Sequence, residues 1–191
     1  MAATDREKWN SRYATASGPD KPSQLLVDLF QAPAWTIQAG CALDIATGNG
    51  RNALFLAARG FDVEAIDVSP VALATARNRA DKQKLRVSWR EADLEAIVLP
   101  HARYDLILNF DYLQRSLIPQ LKLALKTGGL IMFETYLIDQ RAFGHPSNPA
   151  YLLDHNELLE KFRDFRVLLY REGNFAADGG FRAGIFAQKI G

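Results

Sequence analysis

The chain has 191 residues, 48% of them hydrophobic and 24% charged, with a formal net charge of +1. That length suits one ordinary α/β domain with a real core, and the near-neutral charge gives no strong field toward nucleic acid or a membrane surface. The single cysteine, Cys41, excludes an internal disulfide. With no apolar leader at Met1–Arg6 and no run of membrane-spanning length, a soluble cytoplasmic protein is expected.

In chain order, residues 4–16 predict an amphipathic helix with Trp9 and Tyr13 one turn apart. A second helix is expected with Pro22 near its first turn and Leu25, Leu26, Leu29 and Phe30 on its apolar side, ending at Ala32-Pro33. An alternation follows: strand 41–46, helix 50–59, strand 62–66, helix 70–80 and strand 86–91. Ser69-Pro70 forms an N-cap pair for helix 70–80. Strand 104–109, a helix 113–125 stopped by Gly128-Gly129, and strand 129–135 come next. In the tail, Asp154 and Glu157 open a helix through Lys161. Residues 166–172 and 181–189 then read as an antiparallel pair joined by a Gly-rich turn. This spacing implies a doubly wound, mostly parallel α/β sheet covered by helices on both faces. One domain over 1–191 is expected.

The chemistry concentrates at residues 43–52, Leu-Asp-Ile-Ala-Thr-Gly-Asn-Gly-Arg-Asn. A buried strand, a turn containing Gly48 and Gly50, and a helix N-terminus together form a nucleotide-type site. Asp67 closes the next strand, where its carboxylate can accept hydrogen bonds from both hydroxyls of a ribose. Asp93 follows the third strand, placed to accept from an adenine amino group. A nicotinamide dinucleotide would favour Gly-x-Gly-x-x-Gly, whereas position 53 is alanine.

This pattern resembles the class I S-adenosylmethionine-dependent methyltransferases, and specifically their tellurite-resistance and thiopurine-methyltransferase-like group. The matching pieces are Trp9-Asn10-Ser11-Arg12-Tyr13, Gly48-Asn49-Gly50-Arg51-Asn52, Gly60-Phe61-Asp62-Val63 and Asp67-Val68-Ser69-Pro70. Asp93-Leu94, Tyr104-Asp105-Leu106-Ile107 and Leu125-Lys126-Thr127-Gly128-Gly129 complete the set. The resemblance implies a seven-stranded, three-layer sheet with one antiparallel strand. It also implies S-adenosylmethionine as methyl donor, S-adenosylhomocysteine as product, and no metal. It implies a donor site from Asp44, Ala46, Thr47, Gly48, Gly50, Arg51, Asn52, Asp67, Val68, Asp93, Leu94, Asn109 and Phe110. Residues 1–31 would cap that site, with Arg12 pairing the donor carboxylate. The sequence departs from the family at Ala46 and Thr127, where a glycine and a proline are expected. Asn109-Phe110-Asp111-Tyr112 replaces the signature of amino-methylating nucleic-acid enzymes, which speaks against a nucleic-acid partner.

In-line methyl transfer needs mainly alignment, plus a base when the acceptor carries a proton. Arg115 is a candidate for an anionic acceptor, and Tyr112 for shaping the pocket. Glu134, Tyr136 and His145 are candidate acid/base groups, the last on a probable substrate loop, 136–153. His101, His145 and His155 show no ligand spacing. A small-molecule acceptor is expected: a thiol, a metalloid oxyanion or another soft nucleophile. The alternatives are an NAD(P)-binding oxidoreductase and an inactive donor-binding regulatory module. Oligomeric state is left open by the sequence.

Overall fold

The computed structural model describes residues 2–15, 18–175 and 180–191. Its elements run α1 (Ala2–Thr15), α2 (Gln24–Gln31), β1 (Cys41–Ile45), α3 (Arg51–Ala57), β2 (Asp62–Asp67), α4 (Pro70–Gln83) and β3 (Ser88–Glu91). They continue through β4 (Tyr104–Phe110), α5 (Ile118–Ala124), β5 (Leu125–Tyr136), α6 (Glu157–Lys161), β6 (Phe165–Asn174) and β7 (Phe181–Lys189). The strands take the order β3-β2-β1-β4-β5-β7-β6 in one seven-stranded sheet. Strand β7 runs against its neighbours, pairing antiparallel with β5 and β6. This is the doubly wound α/β architecture the alternation implied, with the reversed strand that the family resemblance implied. Ala16 and most of the turn before β7 lie outside the described residues.

The chain packs as two compact units, Met1–Leu99 and Pro100–Gly191. In the first, β1 pairs β2 from Cys41↔Asp62 to Ile45↔Ile66, and β2 pairs β3 from Glu64↔Ser88 to Asp67↔Glu91. Leu43, Ile45, Val63, Ala65 and Ile66 are buried, as are Leu54 and Leu56 of α3 and Leu73 and Ala76 of α4. A fully buried aliphatic side chain of this size contributes about 1.5–3 kcal/mol, so helix and strand positions reinforce each other. Ser69 caps α4 as expected: its hydroxyl accepts from the Ala72 N–H at 3.1 Å, with Pro70 in the first turn. The second helix is capped by Ser23, with Pro22 immediately before the cap and so near its first turn as expected.

In the second unit two expectations fail. The helix proposed for 113–125 is instead a 3₁₀ turn, Arg115–Leu117, followed by α5. Pro119 is the cause: it lacks an N–H and would clash with the preceding turn of a helix running through it, but fits the first turn of α5. β5 begins at Leu125, before Gly128-Gly129. Tyr104 pairs Leu125 and Leu106 pairs Leu130, so the residues between are looped out of the ladder.

The 136–153 segment is closed at its neck. The Leu153 N–H donates to the Tyr136 carbonyl at 2.8 Å and the Ile138 N–H to the Leu153 carbonyl at 2.9 Å. Between these ends lie short 3₁₀ turns at Ile138–Ala142 and Pro149–Tyr151. The helix expected to open at Asp154 starts later, at Glu157 with Asn156 as N-cap, and the Glu157 carboxylate accepts from the Asp154 N–H at 3.0 Å in the preceding turn.

Candidate active site

The first unit builds a glycine turn pinned by a carboxylate. The Gly48 N–H donates to Asp67 Oδ2 at 2.7 Å, and the Ser69 N–H to Asp67 Oδ1 at 2.9 Å. Asp67 therefore fastens the turn after β1 to the end of β2. An ionised carboxylate has about four lone-pair sites, so each oxygen keeps capacity for a ligand hydroxyl. Asp67 is buried, and burial raises its pKa while the N–H groups of Ser69, Gly48 and Val68 pull it back. Asp93 accepts from the Glu95 N–H at 2.9 Å in the turn after β3, beside buried Leu94. The Ala92 N–H returns to the Asp67 carbonyl at 3.0 Å.

Both turn glycines have positive φ, +57° at Gly48 and +79° at Gly50. A Cβ at Gly48 would stand 2.2 Å from the Tyr13 hydroxyl, so α1 lays Tyr13 directly over the turn. Two further contacts hold α1 there: Arg6 pairs with Glu91, and the Ser69 hydroxyl donates to Asn10 Oδ1 at 2.7 Å. Arg12, by contrast, is exposed, with its guanidinium 5.1 Å from the Trp9 ring centroid.

Asn52 is turned to a framework task. Its Oδ1 accepts from the Ser23 N–H at 2.8 Å and its Nδ2 donates to the Ser23 hydroxyl at 3.2 Å, fixing the start of α2. Arg51 reaches the Lys21 carbonyl at 3.3 Å. The sequence-derived set omits Asn49, whose Nδ2 donates to the Pro19 carbonyl at 3.0 Å and straps the 18–21 segment to the turn.

Ala46 occupies the family's glycine position with φ +52°. A left-handed backbone costs a non-glycine residue about 1–2 kcal/mol, against about 0.4–1 kcal/mol of extra unfolded-state entropy for glycine. Ala46→Gly is therefore expected to raise stability by roughly 0.5–1 kcal/mol, read as an increased urea midpoint at unchanged m-value. A lower midpoint would show that the methyl is packed to advantage.

Beneath the turn, Asp44 is buried and accepts from the Thr47 hydroxyl at 2.5 Å. Burial raises its pKa from 3.8 to about 7, with Thr47 and the Arg51 charge opposing. In that window the native state holds a proton that the unfolded state has lost. The stabilisation is complete below the unfolded pKa and disappears as pH rises through the folded one. The swing is roughly 4 kcal/mol. Asp44→Asn should flatten the decline in urea stability between pH 4.5 and 7.5, and an unchanged slope would disprove the assignment.

The second unit carries a separate charged cluster. Glu134, near the end of β5, is buried and accepts from Arg171 Nη2 at 2.8 Å. Arg182 pairs with Asp111, donates to the Tyr136 hydroxyl at 2.8 Å and lies 4.0 Å from the Tyr136 ring centroid. Burial raises the Glu134 pKa, and the Arg171 bond and charge pull it down. For Arg182 burial works against the charge, but Asp111 outweighs it and the pKa is raised.

Asn109 is buried and donates to the Tyr112 carbonyl at 2.7 Å, beside buried Phe110. The Tyr112 hydroxyl donates to Gln114 at 2.5 Å. Arg115 is engaged in a bidentate pair with Glu157, both distances 2.7 Å, and donates to the carbonyls of Leu152 and Ala150. Its fork thus braces the far end of the 136–153 segment. His145 is exposed, and its carbonyl accepts from Gln140.

Glu134 and Tyr136 are thus joined by Arg171, Arg182 and Asp111, which the sequence-derived set omits. The available signal is Arg182 inside the apolar run 181–187, where an unpaired charge would be costly. Among the described residues no group of His, Cys, Asp or Glu is arranged to hold a metal ion.

Residues 42–129 match a family described as a methyltransferase domain. The glycine turn and Asp67 lie within the matched segment, which is similar to S-adenosyl-L-methionine-dependent methyltransferases. More particularly, the chain is 26% identical over 136 residues to the probable S-adenosyl-L-methionine-dependent methyltransferase TehB of Haemophilus influenzae, covering 68% of this chain and 47% of that one. It is 28% identical over 148 residues to hemagglutinin 1 of Eikenella corrodens, covering 74% and 47%. The solved structure of TehB from Haemophilus influenzae superposes with TM-score 0.75 at 23% identity, over 95% of this chain and 67% of that one. The chain spans about half the length of the curated relatives it matches.

Proposed function

We propose that this chain transfers the methyl group of S-adenosylmethionine to a small-molecule acceptor: a thiol, a metalloid oxyanion or another soft nucleophile. The observation that carries the reading is the buried Asp67 carboxylate bonded to the Gly48 and Ser69 N–H groups. The residues fit the donor: a sharp turn made by two positive-φ glycines, and a carboxylate with capacity for two hydroxyls. Gly48, Gly50 and Asp67 would hold it, with Tyr13 covering the turn and Asp93 and Leu94 beyond β3. The sulfonium supplies an activated methyl, so the protein's task is binding and alignment. Glu134, Tyr136 and the two arginines would receive the acceptor. Residues 1–191 acting as one catalytic domain, and a cytoplasmic setting free of nucleic acid and membrane, belong to the same proposal, supported by the net charge of +1.

A thermal-shift panel with S-adenosylmethionine, S-adenosylhomocysteine, NADH and NADPH tests it. At 100 times its dissociation constant a ligand stabilises by about 2.7 kcal/mol, roughly 5–11 °C for a chain of this size. Shifts with the two sulfur nucleosides alone are expected. A shift with a nicotinamide nucleotide alone would overturn the reading.

A further inference from the structure

Three strands meet at one residue without a side chain. Gly184 of β7 is paired with Glu134 of β5 on one side and with Arg171 of β6 on the other. Side chains of directly paired residues share a face, so Glu134 and Arg171 project to the same side across the bare middle position. Arg171 crosses it and donates Nη2 to Glu134 Oε2 at 2.8 Å. The next row on that face is Tyr136, Arg182 and Gly173. The groups facing Glu134 are therefore Arg171 from β6, Arg182 from β7, Tyr136 from its own strand, and Asp111 after β4, itself paired with Arg182. The charges of Glu134, Asp111, Arg171 and Arg182 cancel, two against two.

From this geometry, and resting on the methyl-transfer reading, we infer that Glu134 is the proton acceptor for a neutral, proton-bearing methyl acceptor. Arg171, reaching over Gly184, is the positioning residue that keeps Glu134 ionised and aimed. The bond to Oε2 leaves Oε1 to take the proton. The acceptor X–H gives its proton to Glu134, and the freed pair on X forms the X–CH3 bond. The CH3–S bond breaks with its pair returning to sulfur. The positive sulfonium and negative carboxylate both end neutral, and S-adenosylhomocysteine leaves. A preformed oxyanion fits this site less well, because each arginine already faces a carboxylate. Among the proposed acceptor classes, the geometry favours a thiol or hydroxyl compound over a metalloid oxyanion.

The test uses the full chain with 13C-carboxyl-labelled glutamate and follows the Glu134 titration by NMR. Arg171→Gln should raise its midpoint by about one unit or more, and Arg171→Lys should restore much of it. Gly184→Leu, which fills the crossing point, should act like Arg171→Gln. Release of S-adenosylhomocysteine is then measured with 2-mercaptoethanol, catechol and tellurite. Turnover of the thiol or catechol is expected, its acid limb moving with the Glu134 midpoint in Arg171→Gln. Glu134→Gln should lower kcat about 10²–10⁴-fold while the donor thermal shift stays intact. An unmoved Glu134 midpoint, faster turnover of tellurite than of both neutral acceptors, or no turnover of either neutral acceptor would overturn this inference alone, provided the donor still binds. Absence of any donor shift in the wild-type chain would instead overturn the methyl-transfer reading, and this inference with it.

Discussion

Asp67→Ala is expected to weaken S-adenosylmethionine binding by about 100-fold or more. A hydrogen bond to a charged group is worth roughly 1.5–3 kcal/mol, and two ligand hydroxyls on one carboxylate give about 3–6 kcal/mol. The substitution also frees the Gly48 and Ser69 N–H groups, so the turn loses its tether to β2. Isothermal titration calorimetry measures the affinity, and urea denaturation shows separately whether the fold survives. Because burial raises the Asp67 pKa, ionisation already opposes folding. Alanine should therefore cost far more in binding than in stability. A dissociation constant within threefold of wild type would sink the assignment of this carboxylate to the donor.

The second large effect belongs to Gly50. A Cβ there would lie 2.7 Å from Trp89 Cη2 and 2.9 Å from the Ala76 Cβ, at φ +79°. The left-handed backbone costs about 1–2 kcal/mol and overpacking a further 1–3 kcal/mol. Gly50→Ala should thus lose roughly 2–5 kcal/mol, a large share of the ~5–15 kcal/mol that holds a typical domain together. Gly60 is the internal control: its φ is +83°, yet a Cβ would meet nothing within 4 Å. Gly60→Ala should lose only the backbone part. Equal losses in chemical denaturation would mean that close approach of β3 and α4 plays no role at Gly50.

The glycine turn and Asp67 were legible because their signals are local or sit at strand ends. Gly48, Gly50 and Asp67 are each readable from residue type beside a strand boundary, and a direct hydrogen bond joins Gly48 to Asp67 in the fold. Ala46 was readable as a substitution, but its φ of +52° was not, since that depends on how the turn closes. The break at Pro119 was present in the sequence: apolar spacing suggested a continuous helix, and the proline's missing N–H decided otherwise. The charged cluster around Glu134 was only half legible. Glu134 and Tyr136 stand out at the end of a strand, but Arg171 and Arg182 reach them through antiparallel register. A slip of one residue would turn both arginines to the opposite face. Arg115 misled for a similar reason, because its partner Glu157 is 42 residues away.

The reversed strand β7, set between β5 and β6, has an evolutionary consequence. Tyr13, Asp67, Ala76 and Trp89, which shape the glycine turn, all precede position 99, whereas Arg171 and Arg182 arrive on the β6–β7 hairpin. If the methyl-transfer proposal holds, donor recognition and acceptor recognition are inherited on different stretches of chain. The hairpin can drift, or be exchanged like a cassette, without disturbing the carboxylate that grips the glycine turn. Descendants of one ancestor can keep the same methyl source while diverging in what they modify.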